Sequence, residues 1–337
     1  MEFKEFTAGK NDDSRRLDKL LKTLLPQRPL SDINKLIRKG LIRLNGKKTK
    51  ADIRISEGDV IKIATFLFNS TSKLKKEAFS ANNKLAAEKT LRIIYEDENF
   101  LIINKPYDIN VHGSSKENTA LDSLVKVYLQ SKAKSEDLAF CPGPLHRLDR
   151  KTSGLLVFSK SLKGAKWFTK QLNNHKIKKT YCAVLQGKLT KEEKWTDYIF
   201  SQEESGKQFH TVLCSCEKKE GWKEAKSKAC PLAYGKYEDK IITLANIEIE
   251  TGRKHQIRAQ SALHGFPLLG DSSYGGCKIK DKKLSRDFYL CATSLSFDKQ
   301  MEDCENEALY FPQLLTVNYE VEFFDIIEYC DIRKIGI

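Results

Sequence analysis

The chain has 337 residues, with 59 Lys+Arg against 45 Asp+Glu and a formal charge of +14. At roughly 100–200 residues per domain this length predicts two or three domains, and a 40% apolar fraction with 17 Phe excludes a wholly disordered chain. No apolar run approaches the roughly 20 residues of a membrane span and the N-terminus lacks the basic-then-apolar order of a signal peptide, so a soluble, cytoplasmic chain with no membrane partner is expected.

Residues 1–90 hold 21 basic and 11 acidic side chains. Within them Ser14 is placed to cap a helix whose Leu17, Leu20, Leu21, Leu24 and Leu25 recur at helical spacing before Pro26. Ser31 is placed to cap a second helix, with Ile33, Leu36 and Ile37 on one face and Gly40 as its stop. Asn34, Lys35, Arg38 and Lys39 occupy the opposite face. Leu41–Leu44 reads as a strand entering an Asn45-Gly46 hairpin turn, followed by Lys47 and Lys48 and a return strand. Glu57-Gly58-Asp59 then turns into a final strand, Val60–Ile63. Basic residues on one side of two small helices and a hairpin fit a polyanion, nucleic acid above all. Charge alone leaves a solvated helix face equally open.

The run SRRLDKLLKTLLP…LSDINKLIRKGLIRLNGKK…ISEGDVIKI resembles the S-four RNA-binding domain of a ribosomal small-subunit protein. The resemblance implies an RNA-docking module over residues 14–65, with Ser31, Asn34, Lys35, Arg38, Lys39, Lys47 and Lys48 facing RNA. Residues 66–90 are polar and rich in Lys and Ser, and read as a linker.

A second domain is expected over 91–325, within a stretch (91–300) of 36 basic and 25 acidic side chains. Leu91–Tyr95, Phe100–Asn104, Gly154–Lys160, Thr180–Leu185 and Ile241–Ile249 read as strands. Helices are expected near Ser161–Asn174 and Lys254–Leu263, the second stopped at Gly265. Adjacent strands without regular βαβ alternation predict an α+β domain with a mixed, largely antiparallel sheet and flanking helices. Residues 301–337 carry 2 basic and 9 acidic side chains, and alternation over Leu314–Phe324 points to a last strand; this acidic end is expected outside both basic parts and off the RNA path. The nine cysteines are scattered with no CxxC, so buried thiols are expected rather than a zinc site.

The densest chemistry is Leu145-His146-Arg147-Leu148-Asp149-Arg150-Lys151-Thr152-Ser153-Gly154, one carboxylate between two arginines. Nearby arginines favour an ionised carboxylate, which suits a nucleophile or base; a structural ion pair in a capped turn fits the same residues. Sequence proximity is no evidence for a triad of Asp149, His146 and Ser153, and a glycosidase normally needs two flanking carboxyls. No P-loop, GxGxxG fingerprint or HExxH motif occurs, so neither cofactor nor metal is expected.

HRLDRKTSGLLVFSK resembles the catalytic motif of the RluA family of RNA pseudouridine synthases. RIIYEDENFLIINKPYDINVHG, KKTYCAVLQGKL and TGRKHQIRAQSALHGFPLLGDSSYG are similar to that family's other motifs and occur in its order. His112-Gly113 and the N-terminal module look most like its RluC/RluD branch, which acts on large-subunit ribosomal RNA. The resemblance implies the pseudouridine synthase fold, Asp149 as catalytic aspartate, and Arg147 filling the gap left by an extruded nucleotide. It further implies Tyr181 packing on the flipped uracil, Ile257 lining the base pocket, and Arg258 pairing with Asp149, four residues after Lys254 on one helix face. An RNA partner, a monomer and a cofactor-free isomerisation are the corresponding expectations. A non-catalytic RNA-binding or assembly factor, and the same chemistry on transfer RNA, are the rivals. The chain departs from the family at Asp108, where Gly is usual two residues after the Lys-Pro, and an altered turn is expected there. Residues 200–235 match the family poorly.

Overall fold

A computed structural model describes residues 1–69, 90–113, 120–132, 138, 140–203, 210–284, 286–297 and 311–335; most of the expected 66–90 linker lies outside them. The N-terminal part holds strand β1 (Phe3–Thr7), helices α1 (Leu17–Leu24) and α2 (Leu30–Arg38), and strands β2 (Ile42–Leu44) and β3 (Val60–Ala64). The strands pair in the order β1-β3-β2, antiparallel throughout. Leu17, Leu20, Leu21, Ile33, Ile37, Ile61 and Ile63 form the core beneath them, as the helical spacing requires. β1 precedes residue 14, so the sheet takes its edge strand from upstream of the expected module. A helical turn, α3 (Phe66–Asn69), extends the same core downstream through buried Leu67.

Both expected serine caps are corrected. Ser14 has a left-handed backbone (φ 60°) and α1 begins after Arg16. The amides of Leu17 and Asp18 donate to the carbonyls of Ile53 and Ala51, 2.9 Å each, so the loop backbone satisfies the orphan donors of the first turn. Because residues 51–53 are committed there, no return strand forms after the hairpin; β2 pairs with β3 instead. The turn itself is the expected two-residue one, with Asn45 at φ 50°, Gly46 at φ 76°, and Leu44 and Lys47 exchanging amide-to-carbonyl bonds. α2 is capped from Pro29, leaving Ser31 as an exposed second residue of the helix.

The second part begins with strands β4 (Arg92–Glu96) and β5 (Phe100–Lys105), helix α4 (Leu121–Lys132), and strands β6 (Gly143–Pro144) and β7 (Ser153–Ser159). Helix α5 (Leu162–Asn173) and strands β8 (Ile177–Gln186), β9 (Glu193–Glu203), β10 (His210–Ser215), β11 (Lys223–Tyr237) and β12 (Lys240–Ile249) follow. It closes with helix α6 (Gln256–Leu263), strands β13 (Leu290–Phe297) and β14 (Leu314–Thr316), helices α7 (Tyr319–Glu322) and α8 (Phe324–Tyr329), and strand β15 (Arg333–Lys334). Among the described residues these strands make one twelve-stranded sheet with the main order β10-β9-β11-β12-β8-β13-β7-β5-β4. Every pairing is antiparallel except β13 with β7, so the sheet is mixed and largely antiparallel as expected.

β5 and β7 are buried at every position because both faces of the sheet are covered there. One face meets α4 and Ile257 of α6; the other meets Phe168 of α5 and, further along, Phe323 and Ile326. The acidic C-terminal stretch therefore belongs to the second part, which corrects the expectation that it lies outside both basic parts. Only Leu314–Thr316 of the anticipated strand is a strand, since Asn318 caps the next amides and starts a helix. Buried Glu322 accepts from Asn104, Arg92 and Arg286 at 2.9, 3.2 and 2.8 Å. The two parts touch through residues 11 and 12, where Asn11 Oδ1 accepts from the Leu162 amide that begins α5 (2.9 Å).

Where β7 and β13 run parallel, Gly154 has φ 106° and a Cβ there would lie 2.2 Å from the Ala292 carbonyl oxygen. Gly154→Ala is expected to cost roughly 3 kcal/mol or more, measured as a lowered midpoint of denaturant unfolding.

Candidate active site

Asp149 sits in the loop that feeds β7, and three contacts fix that loop. His146 Nε2 accepts from the Val157 amide (3.2 Å), and the Thr152 amide donates to the Asp149 carbonyl (3.0 Å). Burial pushes the His146 imidazole down to about 3, with the Lys179 charge acting in the same direction, so the ring is neutral and serves as an acceptor. Fully buried Lys105 supplies the third contact: its Nζ donates to the carbonyls of Pro106, Ile109 and Arg150 at 2.9 Å each. That ammonium ties the 106–109 turn to the residue after Asp149. Burial lowers the Lys105 pKa to about 7, against the attraction of Asp149 and Asp108.

The two arginines flanking Asp149 in sequence do not face it as a pair. Arg147 is exposed, and Arg150 turns to Asp108, its Nε 2.9 Å from the carboxylate. Asp108 has φ 62°, a region glycine enters freely, so the anticipated altered turn takes the form of a left-handed residue that also holds a neighbouring cation. The cation facing Asp149 is Arg258, its Nη1 3.7 Å from the Asp149 carboxylate, with His255 Nε2 at 3.9 Å.

Arg258 has another, tighter partner. Its Nε and Nη2 donate to the two carboxylate oxygens of Asp271 at 2.6 and 2.8 Å, a bidentate fork. The guanidinium also lies between the rings of Tyr274 and Phe288, 4.9 and 4.8 Å from their centroids. The expected Arg258–Asp149 pair is thus the long arm of a network whose short arm is Arg258–Asp271. Burial works against the Arg258 charge, but the hydrogen bonds and charge of Asp271, with Asp149 behind them, outweigh it and raise the pKa, so the cation persists. α6 starts at Gln256, with left-handed His255 as its N-cap, so Lys254 lies before the helix and not on a face shared with Arg258. His255 Nδ1 sits 2.9 Å from the Tyr274 hydroxyl.

Tyr181 stands on β8 opposite Ile247 and Ala292, nearly buried; burial and then the Asp149 charge push its phenol upward, so it stays protonated. Ile257 is buried on α6. Arg147, Asp149, Tyr181, Ile257 and Arg258 all line one small cavity of about 60 Å³. Thr152 lines it too, and its Oγ1 is buried with no hydrogen-bond partner among the described residues. Wider clefts of about 640 and 600 Å³ open on either side, and Asp149 lines both. The arrangement presents one carboxylate, 29% exposed, at the junction of three spaces, backed by a cation and flanked by an apolar and aromatic wall.

The N-terminal candidates form a second group. Ser31, Lys35, Arg38 and Lys39 are exposed on or just after α2, and Lys47 and Lys48 are exposed in the hairpin. A Cβ on Gly40 would lie 2.9 Å from Lys48 Cε, so the hairpin lysine reaches back to the end of α2. Asn34 is half-buried, its Oδ1 without a partner among the described residues. Sequence reasoning missed Lys105, His255, Asp271, Tyr274 and Phe288. The Lys-Pro and Gly-Asp dipeptides within the quoted motifs were the available signals for Lys105 and Asp271.

Residues 99–263 match the family described as RNA pseudouridylate synthase, and residues 15–61 match the S4 domain. A ribosomal large subunit pseudouridine synthase C from Buchnera aphidicola is 32% identical, covering 85% of this chain and 87% of that protein. Its namesake from Rickettsia conorii is 31% identical over 90% of this chain and 97% of its own. Among solved structures, human RNA pseudouridylate synthase domain containing 4 shares the fold, with a TM-score of 0.57 at 18% identity, covering 75% of this chain and 98% of that one.

Proposed function

Because the chain belongs to the RNA pseudouridylate synthase family, we propose that it converts specific uridines of large-subunit ribosomal RNA to pseudouridine, with Asp149 acting on an extruded nucleotide. The observation that carries this reading is the convergence of Arg147, Asp149, Tyr181, Ile257 and Arg258, from three separate stretches of chain, on one cavity. The names of the relatives supply the class of RNA.

A uridine inside folded RNA must leave its stack before the glycosidic bond can be reached, at a cost of a few kcal/mol that pocket contacts offset. Tyr181 and Ile257 offer the flat and apolar surfaces for the base, and the exposed Arg147 is assigned to fill the vacated stack. The N1–C1′ bond breaks, uracil turns, and a C5–C1′ bond forms; the hydrogen at C5 leaves and N1 gains one. Both halves act on the same substrate with no change of oxidation state, so this reading calls for no cofactor. Arg258 keeps a positive charge beside Asp149 throughout.

The test is to map pseudouridines in ribosomal RNA from cells lacking this protein and to complement with the parent gene or with Asp149→Asn. Loss of at least one site, restored by the parent alone, is the expected result; no missing site, or full rescue by Asn, would falsify the reading. In the same reading residues 14–65 dock the RNA. Reversing Lys35, Arg38 and Lys39 to Glu is expected to weaken binding at least tenfold and to flatten its dependence on salt while the fold is retained. A salt titration that superposes on the parent's removes that face from recognition.

A further inference from the structure

The largest cleft beside Asp149 contains a cation that the proposed chemistry leaves unused. Lys179 lies two residues before Tyr181 on β8 and lines the same 640 Å³ space. Successive side chains alternate across a strand, so Lys179 and Tyr181 share the face that carries the site. Lys179 is 8% exposed, and among the described residues its ammonium has no hydrogen bond or ion pair. Burial lowers its pKa with no carboxylate acting in opposition. A Cβ on Gly252 would lie 3.2 Å from Lys179 Nζ, which places the ammonium against the Thr251-Gly252 turn at the wall of the cleft.

A largely buried cation without a protein partner is partly desolvated at a cost to the free protein, and it opens onto this cleft. The missing partner is an acceptor that arrives with a ligand. The cleft holds Arg147, Lys179, Arg253 and Lys254 against Asp149 and Glu250, so its balance is positive and favours an anion. Residues two apart on a strand are separated by about 6.7 Å, comparable with the separation of a base from the phosphate of its own nucleotide. With a base against Tyr181 and its ribose at Asp149, the position of Lys179 falls to the backbone.

We propose that Lys179 binds a phosphate flanking the extruded uridine; this rests on the reading of the Asp149 cleft as the synthase site. Lys179 is then held unpaired in the free protein because its counter-charge is part of the substrate. It acts on binding and placement, and the bond changes at C1′ and C5 do not pass through it.

The test uses the full chain with transcribed large-subunit ribosomal RNA labelled with tritium at uridine C5, whose release reports the new C5–C1′ bond. Lys179→Met keeps the apolar stem and removes the charge. The expected result is a Kd and KM raised roughly ten- to hundredfold, with the loss falling on KM rather than kcat. The slope of log Kd against log salt should become shallower by about 0.7 to 0.9, one phosphate contact. The unfolding temperature of the free variant should equal or exceed the parent's, since a partly desolvated charge without a protein partner has gone. Lys179→Arg should recover part of the binding. An unchanged Kd and salt slope overturns the proposal, as does a fall in kcat at unchanged Kd, which would place Lys179 on the base. A lowered unfolding temperature with normal binding assigns it to the fold alone and equally overturns it. Asp149→Asn runs beside it: if that variant still releases tritium, the reading of the site fails, whereas the salt slope of Lys179→Met still decides the phosphate contact.

Discussion

Asp149→Asn is expected to reduce turnover on ribosomal RNA at least about a thousandfold, roughly 4 kcal/mol of transition-state stabilisation, while RNA binding and folding stay near the parent's. Asn has the same shape but no charge. The residue's packing in the loop depends on its backbone, through the Thr152 amide on the Asp149 carbonyl, and that contact survives the change. The side chain is partly open to the clefts and, among the described residues, meets Arg258 only at the 3.7 Å of an ion pair, so removing its charge strips the loop of little. Tritium release under saturating RNA separates the two effects. A variant turning over at more than a tenth of the parent's rate would show that the carboxylate is not the catalytic group.

Asp271→Ala is expected to cause the largest loss of stability of any single change at the site, about 3–5 kcal/mol. Asp271 is 2% exposed and Arg258 10% exposed, so truncation leaves a guanidinium buried without its bidentate partner. Among the described residues Asp149 is the other carboxylate within reach, at 3.7 Å, and Arg258 should swing towards it. Activity measured well below the unfolding temperature should therefore fall as well, by roughly ten- to a hundredfold, if the Asp149 carboxylate that Arg258 then engages is the one that acts on the uridine. Asp271→Asn keeps the shape and part of the hydrogen bonding and should lie between the two. Denaturant unfolding and tritium release on the same preparations give both numbers. Should Asp271→Ala cost less than about 1 kcal/mol, Arg258 would have to find its counter-charge elsewhere, and its role beside Asp149 would need revision.

Local chemistry explains what could be read early. The periodicity of Leu17, Leu20 and Leu21, the Asn45-Gly46 turn and the apolar runs Phe100–Ile103 of β5 and Leu155–Phe158 of β7 each report a burial pattern that neighbouring residues settle among themselves. The HRLDRKTSG stretch announced Asp149 for the same reason: its loop is closed by its own residues, through Thr152 and His146. The Ser14 cap was misread because the donors of α1 are satisfied by carbonyls more than thirty residues away, at Ala51 and Ile53. The acidic C-terminal stretch was misread because a net charge does not show that one of its carboxylates, Glu322, is matched by Arg286, Arg92 and Asn104 in the core.

What the sequence by itself determined is the inventory: a basic N-terminal module, a sheet-rich second part, and the residue types Asp149, Tyr181, Ile257 and Arg258 in their motifs. What only the tertiary structure decided is who partners whom. Arg150, adjacent to Asp149, is drawn off by Asp108, while Arg258, more than a hundred residues on, faces the carboxylate and is itself gripped by Asp271. Charge interactions fall off with distance in space and strengthen as water is excluded, and neither distance nor exclusion is written along the chain. Lys179 makes the same point: as a letter it is one of many lysines, and only its burial in the cleft leaves it in want of an anion.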